Sequence, residues 1–256
     1  MSSGNGADSR IYHTTDGGST WTLQFTNSDS AAFYDCIGFF DAKHGVAYSD
    51  ASGPHSNILR TTDGGAHWVL LAPGSVPDAL AKEGAFASSN SCVVTANART
   101  GWIAASEPQA RVFRSDDAGA SWRVVSSESP LVHGANSGIT ALSFRDTEHG
   151  LATAAVIDNA MVRDTTPHAV AVTSDGGATW TLTHRPDRPG ALSGAALVPA
   201  AGDGVALIAS YSGVFVTTDL GNTWSALDNG RYWAVRAAGR RAWVVGMSGR
   251  ITRIDF

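Results

Sequence analysis

A chain of 256 residues that is 43% hydrophobic is long enough to bury a core and too apolar to remain disordered. Only 16% of it is charged, with four Glu and two Lys, which excludes a long helical bundle or coiled coil; no apolar run approaches the ~18 residues of a membrane helix. A net charge of −5 with its Arg scattered along the chain argues against a nucleic-acid partner.

In chain order, the N-terminal MSSGNGADSR has no charged-then-apolar export pattern. Two strands follow, Arg10 to Thr14 and Trp21 to Phe25, joined by Thr14-Thr15-Asp16-Gly17-Gly18-Ser19-Thr20-Trp21. The same eight-residue box returns from Thr61 to Trp68, with His67 in the hydroxyl position, and then from Ser115 to Trp122, Thr173 to Trp180 and Thr217 to Trp224. Its Asp residues, Asp16, Asp63, Asp117, Asp175 and Asp219, are spaced by 47, 54, 58 and 44 residues. That spacing is the length of a four-stranded propeller blade with loop insertions.

Each box reads as a hairpin turn. The Asp-Gly-Gly core supplies positive φ, the carboxylate accepts N–H groups of its own turn, and the Trp (Trp21, Trp68, Trp122, Trp180, Trp224) covers apolar surface. One carboxylate per repeat cannot gather into a metal site, so these residues are assigned a structural role. A second repeat lies upstream. Phe39 to Ala47 and Ser143 to Ala152 each read as strand, turn ending in His-Gly, strand, which assigns His44 and His149 to turns rather than to a metal.

The expected fold is all-β, a single propeller domain over residues 1–256. Its four complete antiparallel blades span 31–73, 84–127, 137–184 and 191–228. A C-terminal partial blade has strands Trp233–Ala237, Ala242–Val245 and Ile251–Asp255, and the N-terminal pair forms another. Cys36 and Cys92 are expected as two small buried hydrophobes, with one bridge between neighbouring repeats as the alternative.

These residues resemble the BNR, or Asp-box, repeat family. With Phe-x-Asp-x-x-His-Gly before the box, they are similar to photosystem II stability/assembly-factor-like propellers of the WD40/YVTN/BNR-like class, from about Arg10 to Phe256. The resemblance implies roughly seven blades, within the general propeller range, and thus a chain lacking its first blade and half of the second. Unpaired strand edges would then favour self-association. It also implies export to the periplasm or outside the cell, whereas the sequence as given reads as cytoplasmic. Some bacterial relatives are called oxidoreductases, yet no Gly-rich dinucleotide turn is present and no cofactor is expected.

In such a blade the A–B and C–D turns share one end, and the B–C loops and D–A crossovers share the other. Lengths vary at the second end, where binding is expected. The candidates there are Tyr34, Asp35, Glu83, His133, Arg163, Tyr211 and Tyr232, the longest loop being 157–168. The expected function is a non-catalytic binding or assembly module for a protein complex or a carbohydrate. The alternative is a glycoside hydrolase of sialidase or xyloglucanase type, using a pair among Asp35, Glu83 and Asp158, each taken to begin or border an inner strand.

Overall fold

The computed structural model describes residues 1–2, 4–158 and 161–256. Short runs of β-branched and small residues between Gly-rich turns pair with their sequence neighbours as antiparallel strands. The first pair is β1 (Arg10–His13) with β2 (Thr22–Thr26). Blade I follows as β3 (Tyr34–Phe39), β4 (Gly45–Ser49), β5 (Asn57–Thr61) and β6 (Val69–Leu70). Blade II holds β7 (Val93–Thr95), β8 (Gly101–Ala105), β9 (Arg111–Ser115) and β10 (Arg123–Ser126). Blade III holds β11 (Ser137–Phe144), β12 (Gly150–Val156), β13 (Val170–Thr173) and β14 (Thr181–Leu182). Blade IV holds β15 (Leu192–Leu197), β16 (Ala206–Ser210), β17 (Gly213–Thr217) and β18 (Ser225–Asp228), and a three-stranded sheet of β19 (Tyr232–Ala238), β20 (Arg241–Gly246) and β21 (Ile251–Asp255) ends the chain. This is a β-propeller of four complete blades with a partial sheet at each end, as the repeat spacing predicts.

Burial explains the strand composition. The second strands are sandwiched between neighbouring sheets, so β4 and β8 are buried along their whole length, whereas β6 on the outside is exposed. Close sheet contact also demands small residues: a Cβ on Gly38 would lie 2.7 Å from Val93 Cγ1 of the next blade. Trp102 of blade II is fully buried, stacks on Phe144 of blade III with ring centroids 3.6 Å apart, and donates its indole N–H to the Gly176 carbonyl. The core therefore steps from blade to blade. At the chain's end the stepping stops. Tyr232, Val235, Ala242 and Val244 pack against blade IV, while Trp243, Val245 and Ile251 are exposed.

The box turns close as their residues require. Thr61 Oγ1 donates to Asp63 Oδ1 at 2.9 Å and accepts the Gly65 N–H, while Asp63 Oδ1 accepts the His67 N–H. His67 Nδ1 lies 2.6 Å from Asp63 Oδ2, filling the role that the Thr20 hydroxyl plays on Asp16. Three Trp indoles, those of Trp21, Trp68 and Trp180, donate within their own turn. Trp224 instead reaches the His184 carbonyl, and the Trp122 indole N–H is buried without an acceptor. His44 and His149 bond Asp41 and Asp146 of their own turns through Nδ1.

One expectation is corrected. Cys36 and Cys92 are not separate apolar residues but a disulfide, with Cα atoms 5.9 Å apart. The inner strand β3 and the segment leading into β7 run side by side about the axis, which brings together two cysteines that sequence places 56 residues apart. Just ahead of Cys92, the short 3-10 turn Ala87–Ser89 lies near the inner strands β3, β11, β15 and β19, and the adjoining Asn90 helps line a cavity of about 330 Å³ among the inner strands.

Candidate functional site

The crossover from β6 to β7, residues 71–92, runs beside the B–C loop of blade I and carries Asp78, Lys82 and Glu83. Glu83 sits midway along it. Its backbone carbonyl accepts the Ala51 N–H, and its side chain, fully buried, meets Arg111 Nη1 of β9 at 2.5 Å. Burial pushes the Glu83 carboxyl up more than Arg111 pulls it down. Beside it, Asp35 on β3 is 3% exposed. Burial, and then the charge of Asp50, push Asp35 well above the ordinary carboxylate range. Asp50 is raised by burial and by the charge of Glu107, against the Ala85 N–H that its Oδ1 accepts. Glu107, in the blade II loop, accepts the Asn136 N–H at 2.5 Å. The Tyr48 hydroxyl, facing Glu83, Asp35 and Asp50, is buried with no hydrogen-bond partner, and neither has Asp35 Oδ2.

Above this group opens a cleft of about 390 Å³, lined by Asp50, Glu83, Glu107, Lys82 and Phe86. A second feature lies across the same end, over blades III and IV and the last sheet. There Tyr211 meets Trp233 edge-to-face at 4.5 Å, and Ile157 and Met161 pack beside them.

The candidate residues thus separate. Tyr34 is buried against Phe25 and Tyr232 is fully buried, its hydroxyl bonded to Thr252 Oγ1, so both serve packing rather than a ligand-facing surface. His133 and Arg163 are exposed on separate loops, and Tyr211 belongs to the aromatic pair. Part of loop 157–168, residues 159–160, lies outside the described residues. Of the three carboxylates, Asp35 does begin an inner strand, but Glu83 sits in the crossover well before β7, and Asp158 follows the second strand of blade III. The geometry corrects their placement, because crossover and loop lengths separate them from the inner strands. Asp35 and Glu83 approach one hydroxyl, that of Tyr48, from inside the protein, and Asp158 is exposed on another blade. Sequence reasoning missed Asp50 and Glu107. An acid one or two residues beyond the second strand occurs in three successive blades, as Asp50, Glu107 and Asp158, and that recurrence is the available signal.

No family model matches the chain, and no curated protein matches it in sequence. Solved structures do resemble it. A YCF48 structure bound to D1 peptide superposes with a TM-score of 0.62 at 16% identity, over 98% of this chain and 73% of that one. An ancestral GH74 enzyme gives a TM-score of 0.62 at 14% identity, over 96% of this chain, which spans 33% of that enzyme. The GH93 α-L-arabinofuranosidase of Fusarium graminearum with arabinobiose gives 0.59 at 12% identity, covering 95% of this chain and 83% of that one. At these identities the likeness establishes the propeller fold, which serves binding proteins and glycoside hydrolases alike.

Proposed function

We propose that this protein is a non-catalytic binding propeller that docks a partner protein on the face formed by its B–C loops and D–A crossovers. The observation that carries this reading is the state of the carboxylates. Glycoside hydrolysis uses two carboxyl groups about 5–9.5 Å apart across an open groove. Here Asp35 and Glu83 are both buried, and Glu83 is paired with Arg111. The face instead offers the acidic cleft, the Tyr211–Trp233 pair and exposed Arg163 and His133, a mixture of aromatic and charged groups suited to a protein surface. The binding of a D1 peptide by a fold neighbour, and the resemblance of the repeats to assembly factors, support work on a larger complex. The Cys36–Cys92 bridge supports an oxidising compartment.

A photocrosslinking residue at Arg163 or His133 should trap a partner, and the same residue at Ser19, at the opposite end, should not. Turnover of a chromogenic glycoside that disappears in Asp35→Asn, Glu83→Gln or Asp158→Asn would overturn the reading in favour of a hydrolase.

A further inference from the structure

We propose that β21 pairs edge to edge with β21 of a second copy of this chain, joining the two last sheets into one continuous sheet across a two-fold axis. The self-association expected of unpaired edges is thereby placed on one strand and in one register.

The outer edge strands differ in how well they can accept a neighbour. β6 and β14 are two residues long, and β2, β10 and β18 each meet their partner strand with a register shift. Short or bulged edges resist further pairing. β21 has neither feature. It runs for five residues, Ile251-Thr252-Arg253-Ile254-Asp255, in unbroken register with β20 and without Pro. Its hydrogen-bonding phase follows from its two ends, where the Gly246 N–H donates to the Arg250 carbonyl and the Phe256 N–H to the Arg240 carbonyl. Bonded pairs alternate along an antiparallel ladder, so Thr252 and Ile254 bond β20, and the N–H and C=O groups of Ile251, Arg253 and Asp255 turn to the free edge. Among the described residues no fourth strand takes them.

Charge selects the occupant. Two antiparallel copies of β21 can join these outward groups in several registers. Centred on Arg253, the pairing sets Arg253 against Arg253, and like charges directly opposite destabilise a sheet. Centred on Thr252, it sets Arg253 against Ile251 and leaves both charges unmatched. Centred on Ile254, it sets Arg253 of each copy against Asp255 of the other, twice by symmetry, with Ile254 facing Ile254 at the axis. In that register each Arg253–Asp255 pair also exchanges two backbone hydrogen bonds. Both side chains are exposed, and their contacts within the chain are with each other and with Arg241. A strand from an unrelated protein could satisfy the backbone groups alone. An Arg-x-Asp pattern that complements itself across a two-fold points to a second copy.

The test follows the mass of the full chain by sedimentation equilibrium between about 1 μM and 1 mM, where a reversible monomer–dimer equilibrium is expected. Arg253→Asp or Asp255→Arg alone, each altering two symmetric contacts, should weaken the dimer about tenfold or more. An equimolar mixture of the two variants should dimerise again, since every facing pair then carries opposite charges, which also shows that both are folded. Ile254→Cys introduces one free thiol, because Cys36 and Cys92 are bridged. It should give a disulfide-linked dimer on mild oxidation, as facing residues of a non-bonded pair have Cα atoms about 4.5 Å apart. Thr252→Cys should not, because the two sites are then four residues apart along the strands, about 13 Å. A monomer at every concentration, a mixture no tighter than either variant, or a crosslink through Thr252→Cys in preference to Ile254→Cys would each overturn the proposal. Ile254 packs against the core of blade IV. If Ile254→Cys does not fold, the mixture of charge variants decides.

Discussion

The guanidinium of Arg236 donates to the Ser91 hydroxyl at 2.7 Å, across 145 residues of sequence. It also reaches the carbonyls of Ser89 and Asn90. Asn90 in turn exchanges two hydrogen bonds with the Ile37 backbone, and the Ser91 carbonyl takes the Leu142 N–H. Cys92 completes the set by its bond to Cys36. One short segment thereby fastens blade I, blade III and the last sheet around the axis.

Reducing that disulfide, or making Cys92→Ser, should therefore lower stability. Opening a loop of 56 residues corresponds to roughly 4 kcal/mol by chain entropy, read from denaturant unfolding with and without reductant. Arg236→Leu should speed hydrogen exchange in β19–β21 and leave blade II unchanged. Uniform exchange in the variant would show that the clamp is not local.

Ala118 occupies a backbone position with φ +58°, where three other boxes carry Gly17, Gly64 and Gly176 at +71°, +76° and +72°. A side chain in this region costs about 1 kcal/mol. Ala118→Gly should raise stability by about 0.5–1 kcal/mol by chemical denaturation. Gly64→Ala should lower it, since the new Cβ would lie 3.0 Å from the Ala42 carbonyl oxygen.

Acid stability should divide by carboxylate. The Thr217 and Thr223 hydroxyls, with the Thr223 N–H, hold Asp219 at about 2, and the Thr20 N–H and hydroxyl hold Asp16 there. Their folded-state values lie below the unfolded ~3.9, so their contribution is present above that pH and lost as pH falls through about 2. Asp219→Ala should consequently lower Tm at pH 6 and leave it little changed near pH 2.

Asp35 has the opposite sign. Its folded-state value is raised, so stability declines as pH rises above the unfolded ~3.9. Asp35→Asn, which removes the group that must ionise, should raise Tm at pH 7 and flatten its slope between pH 4 and 7. A steeper slope in the variant would contradict the raised value of the Asp35 carboxyl.

Glu83→Gln should cost about 3–5 kcal/mol, because it leaves Arg111, whose side chain is 9% exposed, without its counter-charge. The double variant Glu83→Gln/Arg111→Met should recover much of that loss in a thermodynamic cycle. Additive losses would show that the two side chains act independently.

The five boxes were enough to establish the blade repeat, because an Asp-Gly turn closed on its own Thr or Ser is a local structure. The second strands were legible for a similar reason, since burial on two sides restricts them to small and β-branched residues. Partnerships between strands and blades were not legible, apart from the Cys36–Cys92 bridge, which the repeats offered only as an alternative. The Cys36–Cys92 bond, the Asp35–Asp50 carboxyl pair and the Glu83–Arg111 ion pair join residues from different strands or blades. Their distances depend on how sheets stack and how a 22-residue crossover folds back, and no local pattern encodes either. Sequence alone determined the unit and its number of copies. Tertiary packing decided which acids are buried, which pair with a base, and which remain on an open cleft, because burial and charge pairing are properties of the assembled sheets.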